Sequence, residues 1–242
     1  MGKSMVRPEE EFGRDFCLVK EAVITGRKVG AGKKFWSALA HNQKLFAEVV
    51  KYVQLGGYEP QKLVVEWENF YQRVLGISAN LSRVKIPTHQ PTSDFSRIVM
   101  VAEDLTLNQV WEVCKKRFPT WSYYGDDLDE AVPINNRTTA KSYAIRIRDR
   151  QEADEELKNL SANQLNEKGI PGINLLECLL LKLKYHDETG YHLDLRNFTL
   201  CNGSRDSNGD VPHVRWKDGR LHVDWSLTTS AYSFLRSRAV IS

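Results

Sequence analysis

What this 242-residue chain lacks narrows its class first. No apolar run approaches the roughly 18 residues of a membrane-spanning helix, so no span is expected. Where a secretory signal would hold its apolar stretch, "MGKSMVRPEEEFGRDF" carries three consecutive glutamates, which argues against export by the general secretory route and for a cytoplasmic protein. Cys17, Cys114, Cys178 and Cys201 lie far apart and form no CxxC pair, so neither a disulfide framework nor a cysteine zinc site is indicated, and reduced, buried thiols are expected. The histidines at 41, 89, 186, 192, 213 and 222 have no metal-ligand spacing. A net charge of +3 is too small to call for nucleic acid. It is also local: residues 1–60 hold ten Lys/Arg against seven Asp/Glu, leaving the remainder neutral.

Two apparent motifs fail on inspection. "VGAGKKF" (29–35) resembles a phosphate loop, but Arg27 stands where the first glycine is needed and Lys34 where a Ser or Thr must follow the lysine. "DSNGD" (206–210) has the alternating oxygens of a calcium loop, yet Val211 and Lys217 occupy the glycine and glutamate positions, so a polar turn is expected. No metal and no cofactor is implied.

The remaining pattern is that of an α+β chain. Residues 35–55 place Phe35, Leu39, Phe46, Val50 and Val53 near one helical stripe, and "GGYEP" then stops the helix, which sets a boundary between a helical N-terminal segment (1–60) and a main domain (61–242). One amphipathic helix cannot bury its stripe alone, so docking on the main domain or on another subunit is expected. A second helix, "QKLVVEWENFYQRVLG", and a Pro-rich connector follow. "RIVMVA" (97–102) reads as a buried strand. "TLNQVWEVCKKRF" reads as a helix with Thr106 as N-cap, Gln109 completing a capping box and Pro119 beyond its end, and with Leu107, Val110, Trp111 and Cys114 facing inward. "SYAIRIRDR" alternates, predicting a strand with Ala144, Arg146 and Arg148 on a wet side. Residues 152–169 predict one or two short surface helices. "GINLLECLLLKLKYHDETG" predicts a central helix stopped by Gly190.

From Phe198 onward the chain is strand and turn, closing with "RSRAVIS" as a final strand. Asp218-Gly219 is a two-residue hairpin signal. The register it sets pairs Trp216 with Leu221 and Val214 with Val223 on one face, and Arg215 with His222 and His213 with Asp224 on the other. The first face is uniformly apolar, with Trp225 continuing it; the second is chemically miscellaneous. Composition separates this region further: residues 202–242 contain no Glu, Gln or Met, against seventeen Glu and eight Gln in residues 1–201. Strands disfavour Glu, which accounts for part of the deficit. Two rival readings exist beside a binding surface: an enzyme with a site near Cys201, His213 and Asp224, although no GxSxG elbow accompanies it, and a nucleic-acid-binding accessory using Lys28, Lys33 and Lys34.

The stretches "SYAIRIRD", "SANQLNEKGIPGINLLE", "KYHDETGYHLD" and "CNGSRDSNGDVPHVRW…LHVDW…FLRSRAVIS" resemble the variable proteins of diversity-generating retroelements, over roughly residues 64–242 and most closely after 142. The resemblance implies a C-type lectin fold of the subtype related to the formylglycine-generating enzyme, in a phage or a small-genome prokaryote, so a virion-associated location joins the cytoplasmic one. It implies a C-terminal region, about 202–238, rewritten at template adenines by an error-prone reverse transcriptase. An AAY asparagine codon randomised at its adenines never yields Glu, Gln, Lys, Met or Trp; the missing Glu, Gln and Met fit, Lys217 does not, and Trp216 and Trp225 would be scaffold. The diversified ligand-binding positions so implied are Asp206, Asp210, His213, Arg215, Arg220, His222, Asp224, Ser226, Thr228, Thr229, Ala231 and Tyr232, with Arg236 and Arg238 serving the fold. The enzyme relatives use two active-site cysteines near their C-terminus; only Cys201 lies in this region, so a non-catalytic protein is expected. Its expected partner is a protein or other macromolecule met by the variable face, with an oligomer contact through the N-terminal helix and no role for nucleic acid.

Overall fold

The computed structural model describes residues 8–54, 57, 59–88 and 94–242. Met1–Val53 and Gln54–Ser242 form distinct units, and the chain is of mixed α+β class with a helical N-terminal segment. Gly56 and Tyr58 of the expected helix stop, and His89 with its neighbours in the connector, lie outside the described residues.

The first unit contains α1 (Pro8–Lys28), α2 (Lys33–His41) and α3 (Gln43–Gln54). The single helix expected over 35–55 is therefore two. Asn42 breaks it: its backbone is extended, and its side-chain oxygen accepts from Leu45 N at 3.0 Å, capping a new helix instead of continuing the old one. Trp36 reaches back to donate to Ala31 O at 2.9 Å and covers Gly26, where a Cβ would meet the indole at 2.5 Å. No residue of α2 or α3 is buried; Phe35, Phe46, Val50 and Val53 all stand exposed. Cys17 is exposed too, against the expectation of a buried thiol, while Cys114, Cys178 and Cys201 are buried and free.

In the second unit, α4 (Pro60–Phe70) widens into a π turn over Tyr71–Leu75 and stops at Gly76, left-handed at φ 71°. Leu63, Trp67, Phe70, Tyr71 and Val74 share its buried side. β1 (Arg97–Val101) precedes α5 (Leu107–Arg117), whose Thr106–Gln109 capping box forms as the spacing predicts and whose Leu107, Val110, Trp111 and Cys114 are buried. β2 (Thr120–Ser122), α6 (Leu128–Ala131) and β3 (Ile134–Asn135) lead to β4 (Tyr143–Ile147), antiparallel to β1. Here the wet side expected of "SYAIRIRDR" does not exist at its centre. Arg146 is fully buried and Ala144 nearly so, because Pro87, Phe95 and the chain end cover that face; the guanidinium donates to Pro87 O, and the backbone bridges Ile241.

A 3₁₀ turn at Glu155–Leu157 and α7 (Ala162–Glu167) make up the short helical stretch. α8 (Leu175–Thr189) follows, capped by an Asn174–Glu177 box and ended by left-handed Gly190. Every residue from Leu175 to Lys184 is buried, so this helix is the axis of the core, lying against α5, β1 and β7. β5 (Phe198–Leu200), β6 (Ser204–Arg205), β7 (Val211–Lys217), β8 (Arg220–Ser226) and β9 (Leu235–Arg236) complete the chain. The principal sheet has the order β2-β8-β7-β5-β9, with β2 parallel to β8 and β9 parallel to β5. The expected final strand is limited to β9 and to single bridges at Ala239 and Ile241.

Candidate ligand-binding face

The β7–β8 hairpin has the register its sequence specifies: His213 opposite Asp224, Val214 opposite Val223, Arg215 opposite His222 and Trp216 opposite Leu221. Asp218 and Gly219 both take positive φ (51° and 72°), the mirror-image turn whose twist suits a two-residue connection. Val214, Leu221 and Val223 are buried in the main core, with Trp216 packed against it and stacked on His192 at 3.4 Å. Trp225, expected among the anchors, is half-buried, its ring 5.8 Å from Tyr123.

The opposite face is divided. At one end a second cluster, including Leu157, Leu165, Leu200, Val211 and Leu235, roofs the sheet. His213 falls under its edge: the imidazole is 5% exposed, stacks on Phe198 at 5.1 Å and meets Ser226 Oγ at 3.0 Å. Burial pushes it down to about 4, against the opposite pull of Asp224, so it is neutral near pH 7. Expected as a displayed position, His213 is an interior one, because a strand's alternation does not show what the rest of the chain lays over it. Asp206 departs in the same way. At 3% exposure it accepts from Asn208 N and Asp210 N, both at 2.9 Å, and from Tyr124 Oη at 3.1 Å, which makes "DSNGD" a self-capped polar turn.

Beyond the roof the face opens. Arg215, His222, Asp224, Ser226, Asp210 and Thr228 are half-buried, and Arg220, Thr229, Ala231 and Tyr232 are exposed. The loop bearing the last three is tied down by its backbone: Thr228 O accepts from Asn163 N at 3.1 Å, Tyr232 O from Asn159 N at 3.3 Å and Phe234 O from Phe198 N at 2.7 Å. A fixed main chain presenting free side chains is what a binding loop requires. β2, which the sequence reading missed, widens this face. It adds Trp121, paired with His222 in register and 5.4 Å from its ring.

No family model, curated protein or solved structure matches the chain.

The catalytic trio does not assemble. His213 pairs directly with Leu200 and shares its side of the sheet, whereas Cys201, the next residue of the chain, lies in the main core beneath. Burial raises the Cys201 thiol well above its ordinary range, opposite to what a nucleophile needs. Asp224 turns its carboxylate to Trp225 N at 3.0 Å and makes no ion pair with His213. Lys28, Lys33 and Lys34 are exposed in the first unit. Among the described residues, no group of three or more His, Cys, Asp or Glu side chains is arranged to hold a metal ion.

Arg236 and Arg238 serve the fold, as expected. Arg236 pairs with Glu155 and donates to Ser233 O; Arg238, 1% exposed, donates to Arg150 O, Gln151 O and Asp194. No helix of the described residues is long and apolar enough to cross a membrane.

Proposed function

We propose that this protein is a non-catalytic receptor diversified by a retroelement, with its second unit as a lectin-like scaffold and the open part of the β2-β8-β7-β5-β9 sheet, with loop 227–234, as its ligand surface. One observation carries the reading. Along β8, Leu221 and Val223 are locked in the core while Arg220, His222 and Asp224 turn to a partly open face, joined there by Arg215 of β7, and this open set is the chemically assorted one in a region without Glu, Gln or Met. Core positions such as Val214 and Val223 each contribute about 1.5–3 kcal/mol by burial and cannot vary freely, whereas half-exposed neighbours are near-neutral for stability. Variation is thereby tolerated where it meets a ligand.

The placement of Cys201 in the core, on the opposite side of the sheet from His213, and its raised thiol support a binding role over an enzymatic one. Lectin-like here describes the scaffold and assigns no sugar. Sequencing the DNA around the gene tests the reading. A near-copy of the 3′ end beside a reverse transcriptase gene, mismatched where the copy has adenine, is expected; a 3′ end that stays invariant through a population carrying such a gene contradicts it.

A further inference from the structure

The open face carries an unspent charge. Of the arginines buried or half-buried in Gln54–Ser242, Arg215 alone among the described residues meets no acceptor. Arg97, Arg137, Arg148, Arg150, Arg236 and Arg238 each pair with a carboxylate, and Arg146 and Arg205 with carbonyl oxygens. Arg215 has no such contact, and its Nε is buried without a partner. It is nonetheless held in place. Its guanidinium carbon lies 4.1 Å from the ring centre of Phe198, so one face of the fork is packed while its edges remain free. Directly across the hairpin, His222 Nε2 also has no partner.

Aromatic surface flanks this cation on both sides. Trp121, 40% exposed, stands beyond His222; on the far side Phe198 leads at 5.0 Å to Phe234, and Phe234 stacks at 5.3 Å on Tyr232, these two 43% and 52% exposed. The line from Trp121 to Tyr232 thus crosses the sheet as apolar rings on either side of the Arg215 guanidinium. Asp218 at the turn is already paired with Lys217 and Glu155 with Arg236, and Asp224 stands as an anion on the same face as Arg215. With rings on either side of it and a carboxylate on the facing strand, the guanidinium suits a single carboxylate set among apolar groups better than a polyanion with phosphates at every step.

We propose that Arg215 is the anchor for one Asp or Glu carboxylate of a protein ligand, taken by the free edge of the guanidinium, with the aromatic strip receiving apolar side chains beside that carboxylate. This rests on the reading of the sheet as the ligand surface. A planar fork already positioned by stacking loses little freedom on binding and matches a carboxylate in two parallel hydrogen bonds.

The test is selection of a random peptide library displayed on phage against the full chain, followed by equilibrium binding of the enriched peptides to R215A, R215K and Y232A. Unfolding curves establish that each variant is folded. The expected result is enrichment of peptides with an Asp or Glu next to aromatic or aliphatic residues, whose affinity falls at least about tenfold in R215A and is only partly kept in R215K. Enriched peptides without an acidic residue, or bound equally well by R215A, overturn the proposal. If such peptides still weaken in Y232A, the sheet remains the ligand surface and only the role of Arg215 is lost. Enrichment insensitive to all three substitutions, or no enrichment, overturns this assignment together with the reading beneath it. Displacement of the peptides by oligothymidylate in an Arg215-dependent manner would likewise overturn it, in favour of nucleic acid.

Discussion

Asp194 ties the variable hairpin to the core, and its replacement yields the sharpest stability prediction. The side chain is fully buried, and its carboxylate accepts from Lys182 Nζ on α8 at 2.5 Å, from Thr199 Oγ1 on β5 at 2.7 Å and from Arg238 Nη2 near the chain end at 2.7 Å. Its carbonyl accepts from Trp216 N on β7 at 2.9 Å. Burial alone would raise its pKa, but the Arg238 and Lys182 charges outweigh that and hold it below the usual carboxylate range. In Asp194→Ala two buried cations lose the carboxylate they hold at ion-pair distance. Breaking a buried pair from one side costs about 3–5 kcal/mol, and two orphaned charges place this variant at the upper end. For a domain of this size the melting temperature should drop by roughly 10–20 °C. Urea unfolding followed by tryptophan fluorescence and far-UV dichroism measures it. Replacing all three groups by apolar residues, as Lys182→Met, Asp194→Leu and Arg238→Met together, should regain much of the loss, since an intact buried network contributes little net stability relative to a well-packed apolar one. A loss under about 1 kcal/mol in Asp194→Ala would refute the argument.

Three further outcomes follow from the same physical picture. Leu221→Ala should cost about 2–5 kcal/mol, whereas His222→Ala, the next residue along β8, should cost less than about 1, as read from denaturant midpoints; equal costs would contradict the two-faced hairpin. Gly219→Ala forces a side chain into left-handed backbone and should cost about 1–2 kcal/mol, with Gly219→Asn recovering part of it in the same assay. His213, held to about 4 in the folded state against about 6.5 unfolded, leaves the unfolded chain binding more protons between those values. Its contribution is therefore complete above pH 6.5 and lost as pH falls toward 4, a swing of about 3 kcal/mol. His192, lowered to about 4 mainly by burial, acts in the same direction, so the difference between wild type and His213→Phe isolates the part due to His213; parallel stability curves across this range would count against its burial.

Local chemistry made much of the fold readable. The capping box at Thr106, the left-handed stop at Gly190 and the Asp218-Gly219 turn are each set by residues within a few positions of one another. For the same reason the β7–β8 register is recoverable to the residue. What escaped depends on chain that arrives from elsewhere. Arg146 sits at a polar position of an alternating strand, yet Pro87, Phe95 and Ile241 close over it. His213 and Asp206 belong to the assorted set but lie beneath the Leu157–Leu165 roof and inside a self-capped turn, respectively. β2 has three residues, too few to show a period, and its parallel pairing with β8 leaves no turn signal; hence Trp121 went unread.

The central claim is that one hairpin divides into anchors and display positions. Saturation mutagenesis of residues 211–226, with protease resistance on the cell surface as the readout of folding, tests it most directly. Val214, Leu221 and Val223 should accept only apolar residues of similar size, and His213 few replacements, whereas Arg215, Arg220, His222, Asp224 and Ser226 should accept most residue types without loss of resistance. Equal intolerance at those five positions would contradict the account.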